Sequence, residues 1–380
     1  MAKAHTIAII ANTAWNIYNF RRDLYYYLKE SGYEVVTLGA PDRYSAKLIK
    51  EGIRFVPLND LVPSNVSWLK DIDFLKELSR KIKNLHPDLL LLFTAKPNIY
   101  GNIVAARLDI PTLSTLTGVG SVFTLGGWRA KGVASLYKIA LKHASRIVFH
   151  NSDDMRLFHS EAIIGEDKGL VIPGSGIRTE KISFSPLPQS SKRTILLMAR
   201  MIEDKGIRAF MKASASIAGE DSNTHFIMIG NRPEKDKRTI PFGEIKEWTS
   251  HEHCNYHDFV EDVFPYIEKA HIVVLPSWRE GLPRVVLEAM AVGRPVVATD
   301  VPGCRQAVLN NKSGILIPPR DPEGLYQGLK DMLSKSDEAL SQMGKEGRAR
   351  AVQQFDSDII NENYLKIIKE ALPFYTRLYY

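Results

Sequence analysis

Two glutamates, Glu280 and Glu288, flank a turn that contains Gly281 and Pro283, directly after the apolar run His271–Pro276. Glycine lets the backbone approach a ligand closely, and proline suits the first turn of a helix, where its missing N–H would have no partner. The free N–H groups of such a helix start bind anions and hydroxyl groups. We therefore predict a pocket in which two carboxylates recognise hydroxyl groups. The alternative is structural, with Glu280 as a helix cap and Glu288 as a solvated helix residue.

The rest of the chain alternates short β-branched runs with longer stretches of helical period, which is typical of βαβ units and a parallel sheet. Leucine and isoleucine at helical spacing predict a scaffold helix over Ser67–Leu85. The predicted strands are Thr6–Ala11, Glu34–Leu38, Arg54–Pro57, Asp88–Phe93, Thr112–Leu116, Arg146–Phe149, Thr194–Ala199, Thr224–Gly230, His271–Pro276, Pro295–Thr299 and Gly314–Ile317.

A turn-rich stretch, Ile172–Ile177, divides the chain near Gly176. A chain of 380 residues is longer than one hydrophobic core usually supports, so we predict two domains, residues 1–175 and 176–352. Residues 353–380 carry apolar side chains at helical spacing too far past the last strand for the second sheet to need them. The predicted fold class is α/β, with two facing, doubly wound Rossmann-like domains and a C-terminal helix that returns to the first. Ligands are expected outside the carboxyl ends of the strands.

The turn from Glu280 to Pro283, with Glu288 beyond it, resembles the signature of glycosyltransferase family 4, the retaining transferases of GT-B fold. That signature is a glutamate, seven residues and a second glutamate, usually written around Glu-Gly-Phe-Pro. The resemblance covers nearly the whole chain and implies that residues 1–175 bind the acceptor and residues 176–352 the nucleotide-sugar donor. It also implies that Glu280 contacts the donor sugar and Glu288 the ribose. The other donor contacts that it implies here are Ser277, Gly281, Leu282, Pro283 and Arg284.

A second matching piece, Leu197–Gly206, contains Arg200 and Lys205. In the family, the arginine and the lysine at these positions neutralise the donor diphosphate. A leaving nucleoside diphosphate develops negative charge, and two fixed cations stabilise it without a metal. We therefore assign Arg200, Lys205 and Glu280 as catalytic and expect neither a cofactor nor a metal. Outside this context, an arginine and a lysine five residues apart are ordinary surface charges.

Two further segments resemble the loops that frame the nucleobase in this family, and Val260 occupies a place where glycine is common. The implied contacts are Gly230, Arg232, Phe259, Val260 and Val263. A nearby group of His251, His253, Cys254 and His257 has a spacing that matches no standard zinc site, and we interpret these side chains as surface residues or as indirect supports of the adjacent nucleobase loop. Asp300–Cys304 and Asn311–Pro318 are interpreted as architecture.

The first half contains no glycine in its opening turn, Ala11–Arg22, which counts against a dinucleotide fingerprint and an NAD enzyme. It is similar to the family's bacterial surface-polysaccharide and lipid-linked oligosaccharide branch in Asn16–Phe20, Thr94–Gly101 and Thr117–Phe123. This similarity implies an acceptor linked to polyprenyl diphosphate. Many relatives place a sugar-binding histidine near Thr117, and this chain does not. The acceptor candidates are Asn16, Lys96, Thr117 and Gly118.

Fifty Lys and Arg against 43 Asp and Glu give a charge of +7, which favours anionic partners. No nucleic-acid motif is present, so nucleic acid is not expected. For the basic and aromatic residues of the first half, two interpretations stay open: contact with an anionic membrane, or packing and solvation. These residues are Arg21, Arg22, Tyr25, Tyr26, Tyr27, Trp128, Arg129, Lys131, Lys138 and Lys142. Two cysteines and no apolar run of roughly 18 residues favour a cytoplasmic protein, peripheral on the inner face of the plasma membrane if it meets lipid.

The predicted function is retaining, metal-independent transfer of a hexose or N-acetylhexosamine from a UDP-sugar to a lipid-linked saccharide, in surface polysaccharide or glycan biosynthesis. UDP is preferred to GDP on the branch resemblance alone. The alternatives are a nucleotide-sugar epimerase of GT-B-like fold, which would form an epimer without an acceptor, and a non-catalytic sugar-nucleotide-binding subunit, for which the intact pair Arg200 and Lys205 is unexpected.

Overall fold

A computed structural model of the chain describes residues 4–62, 68–118, 127–234 and 236–372, apart from the side chains of 68–70 and 127–130. These residues form two compact units. Unit 1 comprises Met1–Gly176 together with Ser357–Tyr380, and unit 2 comprises Ile177–Asp356. Within the described residues, no helix is long and apolar enough to cross a membrane.

Unit 1 is built from parallel strands and the helices that connect them. Its strands are β1 (Thr6–Thr13), β2 (Glu34–Ala40), β3 (Phe55–Pro57), β4 (Leu89–Phe93), β5 (Thr112–Leu116), β6 (Arg146–Phe149) and β7 (Gly169–Val171). Its helices are α1 (Ala14–Phe20), α2 (Arg22–Glu30), α3 (Ser45–Lys50), α4 (Trp68–Leu85), α5 (Ala95–Leu108), α6 (Gly127–Leu141) and α7 (Ser152–Ser160).

The strands of unit 1 pair in parallel in the order β3-β2-β1-β4-β5-β6-β7. Successive residues of β1 face opposite sides, so that Ile7 and Ile9 enter one hydrophobic cluster and Ala8 and Ile10 enter another. Because both faces are covered by helices, β4 is apolar throughout and fully buried. The chain order reverses between β1 and β4, and ligands of such sheets bind at this switch point, beyond the carboxyl ends of the strands.

The last helix of the described chain, Ser357–Ala371, belongs to unit 1 although it follows unit 2 in the sequence. It buries Ile360, Tyr364, Ile367 and Ile368 in the same cluster as Ile7. The predicted return of the C-terminal helix to the first half is therefore confirmed. Residues 373–380 of the predicted segment lie outside the described residues.

Unit 2 repeats this architecture, with parallel strands in the order β10-β9-β8-β11-β12-β13 and a switch point between β8 and β11. Its strands are β8 (Arg193–Met198), β9 (Thr224–Ile229), β10 (Cys254–His257), β11 (Ile272–Leu275), β12 (Val296–Thr299) and β13 (Gly314–Ile317). Its helices are α8 (Ile207–Glu220), α9 (Phe242–Trp248), α10 (Phe264–Lys269), α11 (Arg284–Val292), α12 (Pro302–Ala307), α13 (Pro322–Leu333) and α14 (Asp337–Gln354), with 3-10 turns at Thr179–Lys181 and Glu203–Lys205; the C-terminal helix of unit 1 is α15.

The predicted α/β fold of two doubly wound, parallel-sheet units is confirmed, and every predicted strand is present within a few residues of its predicted bounds. Two strands were not predicted. These are β7 and β10, which form sheet edges and carry too few apolar residues to be recognised as buried runs.

Candidate active site

Two loops of unit 2 lie side by side because β8 and β11, the strands that precede them, are hydrogen-bonded neighbours. The loop after β8 carries Arg200 and ends in the 3-10 turn Glu203–Lys205. The loop after β11 leads to Glu280 and α11. The strand order therefore brings together the two motifs that the sequence analysis singled out.

Gly206 allows the two loops to approach closely. Its φ is +70°, in the left-handed region, and a Cβ added there would collide with the carbonyl oxygen of Pro276. The backbone N–H of Trp278 also donates to the carbonyl oxygen of Asp204 at 2.8 Å. The turn that ends in Lys205 is thus fixed directly against the loop that carries Glu280.

The Lys205 ammonium forms an ion pair with Oε1 of Glu280. The two side chains are only 19% and 13% exposed, so water screens their interaction less than on an open surface. A partly buried lysine held by a single carboxylate can exchange that carboxylate for a stronger anion. The geometry therefore suits a ligand that presents both phosphate oxygens and hydroxyl groups.

Glu288 lies one turn inside α11, and its Oε1 accepts from Nε of Arg284 at 2.8 Å. The carboxylate is mostly buried, which contradicts the alternative of a solvated helix residue. Pro283 was predicted in the first helical turn, and the structure places it one position earlier, as the buried N-cap residue with extended backbone. The difference arises because its carbonyl oxygen, and not its nitrogen, takes part in the first turn, accepting from Val286 and Leu287.

The loop after β9 begins at Gly230, whose φ is +153° and whose added Cβ would collide with the carbonyl oxygen of Ala199. Arg232 is anchored in this loop, since its Nε donates to the carbonyl oxygen of Ile240 at 3.0 Å. Phe259 is about half exposed, whereas Val260 and Val263 pack on the core of unit 2. These positions remain predicted nucleobase contacts.

Arg238 is a site residue that the sequence analysis missed. Its Nε and Nη2 bind Asp236 at 2.9 and 2.7 Å, and its Nη1 pairs with Asp204, the neighbour of Lys205. Its carbonyl oxygen accepts from Glu203 at 2.9 Å. Hydrogen bonds from Arg238 and, more weakly, the charge of Arg200 hold the pKa of Asp236 at about 2. The turn that carries Lys205 is thus held from both sides, and Arg200, which is exposed, lies close to this network.

The segment Asp300–Cys304, which was interpreted as architecture, contacts the backbone of Glu280. The N–H of Gly303 donates to the carbonyl oxygen of Glu280 at 3.0 Å, and an added Cβ on Gly303 would crowd Gly281. Cys304 is fully buried, and burial, with the charge of Glu280 second, raises the pKa of its thiol. The glycine in the Pro-Gly-Cys sequence was the signal for this close approach.

Ser277 is completely buried, and its Oγ has no hydrogen-bond partner among the described residues. Its carbonyl oxygen accepts from the Thr299 hydroxyl, which ties the loop to the end of β12. Ser277 therefore shapes the loop, while Leu282 lies half-buried against the core of unit 2.

The acceptor candidates lie at the carboxyl ends of strands in unit 1. Asn16 lies in the first turn of α1, where its N–H is capped by Thr13. Lys96 is paired with Asp71 at 2.6 Å and is mostly buried. Thr117 and Gly118 follow β5 and are half-buried, and the rest of the predicted Thr117–Phe123 segment lies outside the described residues.

The histidine group after α9 is not arranged as a metal site. Cys254 is buried on β10, the rings of His253 and His225 meet at 5.1 Å, and His257 stacks near Tyr266. Among the described residues, no three His, Cys, Asp or Glu side chains are grouped so as to hold a metal ion.

Comparison with known proteins agrees with this architecture. Residues 6–151 match the family described as glycosyl transferase 4-like, and residues 192–335 match the family described as glycosyl transferases group 1. The N,N'-diacetylbacillosaminyl-diphospho-undecaprenol alpha-1,3-N-acetylgalactosaminyltransferase of Campylobacter jejuni is 26% identical over 96% of this chain and 99% of its own length.

Two solved structures share the fold over nearly the whole chain. A glycosyltransferase from Rickettsia africae has a TM-score of 0.80 at 18% identity and covers 98% of this chain and 100% of its own. Anabaena HepE, solved in complex with UDP and glucose, has a TM-score of 0.78 at 16% identity and covers 96% of this chain and 100% of its own. With both family domains in sequence order on a GT-B fold, the chain belongs to glycosyltransferase family 4.

Proposed function

We propose that this glycosyltransferase moves a hexose or N-acetylhexosamine from a UDP-sugar to a saccharide linked to polyprenyl diphosphate, with retention and without a metal or resident cofactor. The observation that carries the proposal is the partly buried ion pair of Lys205 and Glu280 at the switch point of unit 2. The UDP and glucose held by Anabaena HepE support the donor, and the undecaprenol diphosphate in the name of the Campylobacter relative supports the acceptor.

Donor binding would exchange the partner of Lys205. The donor diphosphate replaces Glu280 as its counter-ion, and the released carboxylate accepts hydrogen bonds from sugar hydroxyls. Arg200 supplies the second positive charge, and Glu288 accepts from the ribose. The remaining donor contacts that we propose are Gly230, Arg232, Phe259, Val260, Val263, Gly281, Leu282, Pro283 and Arg284. Ser277 is completely buried and would act only by shaping the loop.

The chemical step follows from where charge develops. The bond between C1 of the sugar and the diphosphate oxygen breaks, and the acceptor oxygen forms a new bond to C1 on the same face. The acceptor proton passes to the departing phosphate, so no enzymic base is needed. Lys205 and Arg200 stabilise the negative charge that grows on the diphosphate.

A donor screen followed by a transfer assay tests this function. A UDP-sugar present at 100 times its Kd should stabilise the protein by about 2.7 kcal/mol, which thermal unfolding detects, and GDP-sugars should not. Incubation with that donor and a polyprenyl-diphosphate saccharide should yield an extended saccharide whose new linkage has the donor's anomeric configuration by NMR. An inverted linkage would contradict retention, and loss of activity in the presence of a chelator would contradict a metal-independent reaction. An epimer formed without acceptor would contradict the transferase function.

We also propose that the protein acts on the cytoplasmic face of the plasma membrane and meets anionic lipid through α6. The outer side of this helix exposes Lys131, Lys138 and Ile139, with Lys142 just beyond its end, and Ile139 is 66% exposed. The prediction that Arg21 and Tyr25 could contact a membrane is wrong, because both side chains are buried in unit 1. The side chains of Trp128 and Arg129 lie outside the described residues.

Flotation with phosphatidylglycerol vesicles at low salt tests the membrane contact. The wild-type protein should float with the vesicles, and the double variant Lys131→Glu, Lys138→Glu should not.

A further inference from the structure

Several polar atoms at the carboxyl ends of the unit 1 strands have no hydrogen-bond partner among the described residues, although they are buried. These atoms are Oδ1 of Asn12, Asn16 and Asn98, Nε of Arg21 and Nε2 of His150. Buried polar groups in folded proteins are nearly always paired with protein, water or a ligand, so such a concentration marks a place that takes a polar occupant.

Arg21 is the charged member of this group. It joins α1 to α2, is only 2% exposed, and stacks its guanidinium on the ring of Phe93, with Cζ 3.8 Å from the ring centroid. Every Asp and Glu of the chain falls among the residues that the structure describes, and none of them pairs with Arg21. Burial lowers the pKa of Arg21 to about 10, which leaves the side chain charged at neutral pH.

The side chains that surround Arg21 are neutral and hydrogen-bonded to one another. Burial, and second the charge of Arg21, lower the pKa of His150 to about 3, so His150 adds no second charge. Tyr364 shares a hydrogen bond with the Thr115 hydroxyl at 3.0 Å, and Nδ2 of Asn98 donates to the carbonyl oxygen of Thr115 at 2.8 Å. The result is one fixed positive charge in a region from which water is largely excluded, where it acts over several ångströms with little screening.

A purely structural role explains this arrangement poorly. The attraction between a guanidinium and a phenyl ring is smaller than the penalty for removing an arginine from water. Buried charges are normally balanced by an opposite charge, and no described side chain supplies one to Arg21. The opposite charge is therefore expected from a ligand, and the planar guanidinium of arginine matches the geometry of phosphate oxygens well.

We propose that Arg21 is the fixed counter-charge for the diphosphate of the acceptor, with Asn16 and Asn98 accepting from hydroxyl groups of the adjoining acceptor sugar. This inference rests on the proposed function, because it assigns a place in unit 1 to the lipid-linked diphosphate. The inference assigns this role to Arg21 and not to Lys96, because the charge of Lys96 is already balanced by Asp71.

The test compares two acceptors that differ only in charge: a saccharide on farnesyl diphosphate and the same saccharide as a neutral octyl glycoside. Arg21→Gln should raise KM for the diphosphate acceptor about tenfold to a hundredfold, the range expected for loss of a charge-assisted interaction, and leave KM for the glycoside within about threefold. Arg21→Lys should restore most of the affinity. Arg22→Gln is the matched control, because it removes the same charge from a partly exposed neighbour that is already paired with Glu51.

An equal loss on both acceptors in Arg21→Gln would overturn the inference and assign Arg21 to packing. If that variant does not fold, the wild type decides the matter through inhibition by inorganic pyrophosphate in the glycoside assay. Inhibition competitive with the glycoside supports the proposal, and inhibition competitive with the UDP-sugar alone overturns it. A wild-type enzyme that glycosylates neither acceptor contradicts the proposed function itself.

Discussion

Single side chains determine how charge is balanced in the loops after β8, β9 and β11 of unit 2. Lys205 is balanced by Glu280, Arg284 by Glu288, and Arg238 by Asp204 and Asp236. Each of these carboxylates pairs with a partly buried cationic side chain and holds it in one position. A diphosphate can then replace a carboxylate without moving the cation far, so that little reorganisation accompanies binding.

Lys205→Ala should lower kcat about a hundredfold to a thousandfold, because Lys205 stabilises the further negative charge that develops on the diphosphate as the glycosidic bond breaks. KM for the donor should rise by a smaller factor, because Lys205 also pairs with the diphosphate of the bound donor. Steady-state kinetics at saturating acceptor measure this, and Lys212→Ala, at an exposed lysine on the following helix, is the control. An unchanged kcat would remove Lys205 from the mechanism.

Asp236 gives the protein a defined acid sensitivity. Because its pKa falls from 3.8 to about 2 on folding, its contribution to stability is present above pH 4 and is lost as the pH falls towards 2. The difference in free energy of unfolding between wild type and Asp236→Asn should therefore shrink over this interval. Urea titrations at several pH values measure it, with Asp331→Asn, an exposed carboxylate of unit 2, as the control. A difference that is independent of pH would show that Arg238 does not hold Asp236 ionised.

The sequence predicted Glu280, Glu288 and Lys205 because each lies in a short stretch that resembles a family motif, although Lys205 and its partner Glu280 are 75 residues apart. Arg238 was missed because its partner Asp204 is 34 residues away and nothing in its own loop indicates that contact. Arg21 was placed on the surface for the same reason: its charge suggested solvent, and the ring of Phe93 that covers it comes from a distant strand.

At the scale of the elements, glycines let the loops after neighbouring strands approach one another. The loops after β8, β9 and β11 meet at Gly206 and Gly230, where backbone passes against backbone. The parallel sheet itself was predictable, because buried strands such as β4 are uninterrupted apolar runs. The edge strands β7 and β10 were not predictable, because they are only partly buried and do not need an uninterrupted apolar run.

Gly230→Ala should destabilise unit 2 by about 3 kcal/mol or more, because it combines an unfavourable backbone conformation with a collision against Ala199. Gly243→Ala is the matched control. That glycine lies in α9 with open space around its Cα, so alanine should be neutral or stabilising by up to about 1 kcal/mol. Urea denaturation compares the two variants, and equal effects would contradict the assigned role of Gly230.

At the scale of the whole molecule, unit 1 is assembled from two parts of the chain that are separated by all of unit 2. Helix α15 places Tyr364 and Ile360 among side chains from β1, β4 and α2. Apolar spacing in the tail predicted the helix, and its distance beyond the last strand predicted its destination. The partner side chains that it meets could not be predicted, since they depend on the tertiary packing.

Ile360→Ala should lower the free energy of unfolding by about 2 to 5 kcal/mol, the usual cost of emptying a buried isoleucine site. Ile359→Ala, one residue earlier on the exposed side of the same helix, should change it by less than about 0.5 kcal/mol. Chemical denaturation followed by intrinsic fluorescence measures both. Similar values for the two would mean that α15 is not docked as described.

The position of α15 in the chain also sets an order of events during synthesis. Unit 2 is one continuous segment and can complete its core as soon as Asp356 has left the ribosome. Unit 1, although translated first, lacks Ile360, Tyr364 and Ile368 until the last helix emerges. The half of the protein that is made first therefore finishes folding last, and its incomplete apolar face is exposed to chaperones throughout translation of unit 2.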